Sequence, residues 1–315
     1  MAIKFGVQVW QEEFELDGYR KAWCEIEEMG YYSVWNYDHF YPMANITSQY
    51  MPEAWTLLPY LAEHAKKIRI GVLVSCNSYR YPSVLAKIAS TVDVISDGRL
   101  EFGIGAGWHK PEYDAYGIPF LRAKVRIEQM DEATEIIKRI WSQEKASFKG
   151  KYYSIQDLIS YPKPIQKPHP PIMIGGKGNM TLRVAAKHAN NLNIVDCNPE
   201  EYGERVGIFK KRCSEMGRRF EDIKMSWHGH VIVGDTEEAK RKALRLKEGS
   251  AIKTVQDTSK EDFLDKAIWG TPEEVINRLQ RYIDSGASYF ICHFPFPEDL
   301  KPQRTFMEKV IPSFK

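Results

Sequence analysis

The chain has 315 residues, 43% hydrophobic, 12% aromatic and 27% charged, the make-up of a water-soluble protein with a large core. Lys plus Arg number 44 against 42 Asp plus Glu, a formal charge of +2. So even a balance gives no broad basic surface, and nucleic acid is not an expected partner.

Short runs rich in Val, Ile and aromatic residues alternate with stretches of helical period, the pattern of βα units on a parallel sheet. Residues 3–9 predict the first strand, followed by a helix over about 17–29 that Asp17 caps and Gly30 ends. Strand two is 32–35, with a helix over 53–65. IRIGVLV at 68–74 is strand three, and its helix opens at Pro82, whose missing N–H costs nothing in a first turn. Strand four, 100–104, leads through a loop to a long amphipathic helix carrying Val125, Met130, Ile136, Ile137 and Ile140. Residues 144–170 break the rhythm: FKGKYYSI reads as a small strand pair and YPKPIQKPHPP as an extended linker. Strands five, 171–174, and six, 192–195, bring helices over about 180–188 and 199–216. Strand seven is 223–233, followed by helices over about 236–248 and 260–268 and the capped stretch TPEEVINRLQRYIDSG. The last strand is 288–292, before a closing helix from 301.

Eight strands, each with a helical partner and no Rossmann glycine fingerprint at the first turn, predict a single (βα)8 TIM barrel over residues 1–315. Insertions are expected at its C-terminal face, at about 106–122, 144–170 and 249–270. The five cysteines, Cys24, Cys76, Cys197, Cys213 and Cys292, have neither a C-x-x-C pair nor zinc spacing, so reduced thiols and no bound metal are expected. The opening MAIKFGVQVWQEE is too short an apolar run for a signal segment, and no later run approaches the roughly 18 residues of a membrane span. The expectation is a cytoplasmic protein without a membrane partner.

In such a barrel the chemistry sits at the C-terminal ends of the strands. Those positions here are Gln8 and Gln11, Asp38 and His39, Ser75 and Asn77, the run Gly103, Gly105 and Gly107, then Gly175, Gly176 and Gly178, Asp196 and Asn198, His228 and His230, and His293. IGGKGNMT leaves a strand and enters a helix, so its backbone N–H groups either cradle a phosphate or simply make a tight turn. Asp38 and His39 form a candidate acid/base pair, with a capping Asp and a packed His as the plainer reading. His228 and His230 share a strand face, but no third ligand is spaced for a metal. Trp10, Trp35, Tyr37, Tyr41, Trp55, Trp108, Tyr113, Tyr116, Trp227, Phe294 and Phe296 crowd the same end, as a pocket for a flat conjugated ligand or as an aromatic core.

The segments NYDHF, EAWTLLPYLAEHAKKIRIGVLVSCNSYRYPSVLAKIASTVDVISDGRLEFGIGAGWHKPEYDAYGIPF and PIMIGGKGNMTLRVAAKHANNLNI resemble the bacterial luciferase-like flavin and deazaflavin oxidoreductases, within them the coenzyme F420-dependent subgroup. The resemblance covers nearly the whole chain and implies F420, or alternatively FMN, bound at the barrel mouth. It implies His39 as the proton-transfer residue, and Asp38, Val72, Leu73, Ser75, Ala106, Gly107, Gly175, Gly176 and Gly178 around the cofactor. A cis non-prolyl peptide is implied near Val72-Leu73. Trp108, Glu112 and His228 are expected to line the substrate pocket. Sugar-phosphate dehydrogenases that resemble this chain carry a glutamate just after the strand-four glycines, where Trp108 stands here. The resulting expectation is hydride transfer between the deazaflavin C5 and a small organic substrate. An FMNH2-dependent monooxygenase served by a separate flavin reductase, and a non-catalytic flavin-binding protein, are the alternatives. Relatives are often dimers, so a homodimer is expected.

Overall fold

The structure, a computed structural model, describes residues 2–43, 50–250, 253–295 and 300–314, so Phe296 lies outside the described residues. The strands are β1 Lys4–Gln8, β2 Ser33–Asn36, β3 Arg69–Cys76, β4 Leu100–Gly105, β5 Lys145–Lys149, β6 Ser154–Ile159, β7 Ile172–Gly175, β8 Asn191–Val195, β9 Lys224–Val233, β10 Ile268–Gly270 and β11 Tyr289–His293. The helices are α1 Leu16–Met29, α2 Ala54–His64, α3 Pro82–Ile95, α4 Lys110–Ala115, α5 Ala123–Ser142, α6 Asn179–His188, α7 Pro199–Glu215, α8 Thr236–Gly249, α9 Lys253–Asp257, α10 Lys260–Lys266, α11 Pro272–Asp284 and α12 Lys301–Lys309. Among the described residues eight parallel strands, in the order β1, β2, β3, β4, β7, β8, β9 and β11, close when β11 pairs with β1. The expected (βα)8 barrel is present.

Alternation along the strands sorts side chains to two sides. Ile70 and Val72 of β3 face outward and join the large core between strands and helices, with Leu85, Ile137 and Trp141. Trp35, Leu73, Met173, Tyr289 and Ile291 fill the lumen, where the Trp35 ring lies so close to Gly71 that a Cβ there would meet it at 2.3 Å. At the N-terminal end of the lumen Arg69 donates to Glu101 at 2.8 Å and Tyr32 to the same carboxylate at 3.0 Å. That ion cluster closes the bottom, leaving the C-terminal end as the mouth.

Five features depart from the sequence expectation. Asp17 lies inside the first turn of α1, whose N-cap is Glu15, and no side chain caps that helix. The cis non-prolyl peptide is Leu73-Val74, one residue beyond the expected bond. There the register slips: Val72 pairs with Phe102 but Ser75 with Ile104, so consecutive Leu73 and Val74 both join the lumen cluster. The 144–170 insertion does not sit on the C-terminal face. It follows α5, which ends at the bottom, and Gln166 donates to Leu100 O at 2.7 Å and accepts from Arg69 at 3.0 Å, both at strand starts. Only its hairpin turn reaches the other end, where Tyr153 meets Asn77 and Tyr81. Within 249–270, a short strand replaces the end of the expected helix: β10 pairs in parallel with Val231–Val233 of β9, outside the closed barrel. With α8 and α10 it builds a satellite core of Ile232, Ala239, Ala243 and Phe263. The segment after β4, expected as a loop, contains α4.

Candidate active site

Asp38 and His39 follow each other at the end of β2, yet they enter different networks. The Asp38 carboxylate accepts from Arg80 Nη1 at 2.7 Å, Arg80 Nη2 at 3.0 Å and the Cys76 amide at 2.8 Å. Arg80 also donates to Glu53, whose carboxylate caps α2 through the Thr56 amide at 2.6 Å. Burial alone would weaken the Arg80 charge, but Asp38 and Glu53 outweigh it and raise its pKa further. Asp38 is buried and fully engaged, so it is not the acid/base partner of His39; it fastens the β2 end to the β3 loop.

Glu112 takes the role expected of Asp38. Its Oε2 lies 2.9 Å from His39 Nδ1 and accepts from Tyr79 at 2.5 Å, while Oε1 accepts from the amides of Phe40 at 2.6 Å and Tyr41 at 2.9 Å. Burial pushes the Glu112 pKa up, but the hydrogen bonds from His39, Tyr79 and the Tyr41 amide win and hold it below the ordinary carboxylate value. An ionised carboxylate only accepts, so His39 Nδ1 carries the proton and Nε2 is left with its lone pair. That nitrogen has no partner among the described residues, and the side chain keeps 16% of its surface exposed. Glu112 is itself sealed from solvent, so it orients His39 rather than lining a pocket. Trp108, half exposed, stands beside His39 at 5.6 Å between ring centroids. His109, a site residue with no local sequence signal, packs 5.8 Å from His39 and buries an Nε2 without a partner among the described residues.

The residues expected around the cofactor divide in the same way. Val72 faces the outer core, and the Ser75 hydroxyl is buried on Trp55 Nε1 at 3.0 Å; neither side chain reaches the mouth. Leu73 forms lumen floor, and half-buried Val74 takes the place expected of Val72. Val74 accounts for two of the glycines: a Cβ on Gly105 or Gly175 would meet its methyl groups at 2.7 and 3.0 Å, whereas on Gly103 it would strike the Val72 carbonyl oxygen at 2.4 Å. Gly107 has φ +73, and a Cβ there would strike the Tyr113 hydroxyl at 1.9 Å. Beside it Ala106 is partly exposed. Gly176 (φ +135) uses its N–H on Asn193 O at 2.9 Å, so that amide is already engaged. Gly178, the N-cap of α6, has no side-chain cap, and a Cβ on it would meet nothing within 4 Å. The amides of the first α6 turn therefore open outward, with Lys177 nearby on Asp196 Oδ2 at 3.0 Å.

Across the mouth, His228 and His230 of β9 stand with His293 of β11, and Trp10 stacks on His293 at 4.0 Å. His230 Nδ1 and His293 Nδ1 are 2.9 Å apart, which requires one to donate and the other to accept. Among the described residues no group of three or more His, Cys, Asp or Glu is placed to hold a metal ion. Of the aromatic residues noted in the sequence, Trp35, Trp55, Tyr113, Trp227 and Phe294 are core, while Trp10, Trp108 and Tyr116 remain open to the surface. No helix among the described residues is long and apolar enough to cross a membrane.

A model of the luciferase-like monooxygenase family matches residues 3–289. The chain belongs to that family, and it is an oxidoreductase. It is 27% identical to an F420-dependent glucose-6-phosphate dehydrogenase of Microbacterium testaceum, over 99% of this chain and 98% of the relative. It is 32% identical to an FMNH2-dependent dimethylsulfone monooxygenase of Pseudomonas putida, over 52% of this chain and 44% of the relative. Its backbone follows that of an F420-dependent secondary alcohol dehydrogenase, solved in complex with an F420-acetone adduct, with a TM-score of 0.88 at 20% identity over 100% of both chains.

Proposed function

We propose that the protein is an F420-dependent oxidoreductase that moves a hydride between the cofactor and a small hydroxyl or carbonyl compound. The observation that carries this reading is the His39–Glu112 pair, an imidazole with one nitrogen fixed by a buried carboxylate and the other open. The similarity of the full chain to F420-dependent dehydrogenases supports it. The mouth suits the cofactor: the uncapped first turn of α6 offers free amides to a phosphate, and Gly178 leaves the approach unfilled. Val74, Ala106 and Gly107 border the ring side, and Gly175, Gly176 and Gly178 shape the turn on the phosphate side. Bound there, F420 supplies C5 of its deazaflavin ring as the hydride donor or acceptor.

The chain's own residues orient the substrate and handle the proton. His39 Nε2 takes the hydroxyl proton when an alcohol is oxidised and returns it when a carbonyl is reduced. Glu112 balances the imidazolium charge without taking up the proton, because its hydrogen bonds favour the carboxylate. Trp108 shields the approach to His39.

Titration of the purified protein with F420 and with FMN, following ring fluorescence, tests the assignment. Saturable binding of F420 with FMN bound at least 10-fold more weakly is the expected outcome; preference for FMN would overturn it. The half-length similarity to an FMNH2-dependent monooxygenase makes that the second reading, served by a separate flavin reductase.

A further inference from the structure

Gln8 is the last residue of β1, and its amide bridges the lumen to two other strands. Its Nε2 lies 3.2 Å from Leu73 O on β3, and its Oε1 lies 2.8 Å from Trp10 Nε1 and 2.7 Å from His228 Nε2 on β9. The orientation of this amide follows from chemistry. An indole N–H can only donate and a backbone carbonyl can only accept, so the atom facing Trp10 is oxygen and the atom facing Leu73 is nitrogen. The same oxygen faces His228 Nε2, which must therefore donate. His228 is half-buried beside His230 and His293 and stays neutral, its pKa pushed down by burial first and by those neighbours second. A neutral imidazole has one N–H and one lone pair, so His228 Nδ1 is left as the acceptor. That atom has no partner among the described residues and is not among the buried polar atoms that lack one, so it opens toward the mouth.

We propose that Gln8 locks His228 as the Nε2–H tautomer and so makes Nδ1 a standing hydrogen-bond acceptor in the mouth, a specificity-determining group for a ligand that presents an O–H or N–H. An alcohol satisfies this atom and the corresponding ketone does not, which sets His228 apart from His39, whose open nitrogen works with both. The donor is either the substrate hydroxyl or an N–H or O–H of the cofactor. The inference deepens the proposed function and rests on it for the ligand, but the tautomer stands by itself in the ligand-free chain.

Nitrogen-15 NMR of the full chain labelled at histidine, at pH 7, reads the tautomer directly. A proton on His228 Nε2 in wild type, and mixed tautomers in Gln8→Leu, is the expected result; a proton on Nδ1 in wild type overturns the lock whether or not any cofactor binds. Adding F420, 2-propanol, or both identifies the donor: movement of the Nδ1 resonance with F420 alone assigns it to the cofactor, and movement only with 2-propanol assigns it to the alcohol. A resonance that stays in place under all three overturns the ligand role. His228→Asn, which keeps an acceptor near the Nδ1 position, should bind the assigned ligand within about 3-fold of wild type, and His228→Leu should weaken it by about 10-fold. Equal loss in both variants, with folding retained by circular dichroism, also counts against the acceptor.

Discussion

The two sides of the barrel mouth handle charge in opposite ways. On the β2–β4 side the carboxylates are paired: Asp38 and Glu53 with Arg80, and Glu112 with His39 and two backbone amides. On the β9–β11 side His228, His230 and His293 pack with Trp10 and with one another, and burial is the largest of the causes that lower their pKa values. The same side chain is the proposed proton carrier on one side and the proposed fixed dipole on the other. On the first side a buried carboxylate stands behind the imidazole.

The largest effect that would test this division is on turnover. His39→Ala should lower kcat by about 100-fold to 10,000-fold while leaving F420 affinity within a small factor, since the group lost acts on the proton rather than on the cofactor. Single-turnover reduction of bound F420, beside a fluorescence titration, would check both halves. Turnover within a small factor of wild type would remove His39 from the chemistry and place the proton carrier among the β9–β11 histidines.

Much of this arrangement was legible in the sequence, for reasons that also explain what was not. The eight strands could be read because apolar periodicity, the helix stop at Gly30 and the helix start at Pro82 are local signals. The strap at 144–170 was misplaced because its position depends on the direction of α5, not on its own composition. The pairing of Asp38 with His39 failed because successive residues at a strand end point to different sides. Arg80 and Tyr79, which complete the two carboxylate networks, lie in an ordinary-looking loop. Only the requirement that a buried Asp38 find a cation could have singled out Arg80. The bulge at Leu73-Val74 was missed by one residue, since nothing in a run of Val and Leu marks which peptide departs from the pleat. β10, three residues long, gives no periodicity to read.

The next effect, smaller, lies in the pH dependence of stability, where the two sides should separate. His228, His230 and His293 have folded pKa values of about 3 against about 6.5 when unfolded. The unfolded chain therefore binds more protons between those values, and the stability these residues contribute, complete above about pH 6.5, is lost as pH falls toward 3. Glu112 has a lowered folded pKa, so its contribution is present above the unfolded value near 4.5 and is lost as pH falls through the folded one. Between pH 6.5 and 4.5 the lowered histidines respond and the Glu112 carboxylate does not. His109, His169 and His188 shift in the same direction, so the readout is the difference between variants and not the wild-type curve. Denaturant melts of His293→Gln should fall less steeply over that interval than wild type, by up to about 1.4 kcal/mol per pH unit. Glu112→Gln should change the slope mainly below pH 4.5, and above it only through His109, whose pKa burial lowers and the Glu112 charge raises. If Glu112→Gln flattened the curve between pH 6.5 and 4.5 as much as His293→Gln, the two sides would be one titrating network.

The smallest expected effect concerns the turn into α6, and its value is that stability and binding should move in opposite directions. Gly178 has φ −73, which any residue adopts, and open space where a side chain would go. Asp at that position would accept from the first-turn amides and favour the helix dipole, raising stability by a few tenths of a kcal/mol. The same carboxylate would occupy the amides proposed for a phosphate and repel its charge, so the F420 dissociation constant should rise by about 10-fold. Gly176→Asp is a poor substitute, because φ +135 strains any side chain and a Cβ would press on Thr181 at 3.0 Å; a loss of binding there would report a damaged turn. Thermal melts and fluorescence titration of Gly178→Asp separate the two contributions. A raised melting temperature with unchanged F420 affinity would show that the cap forms and that the cofactor phosphate is held elsewhere on the mouth.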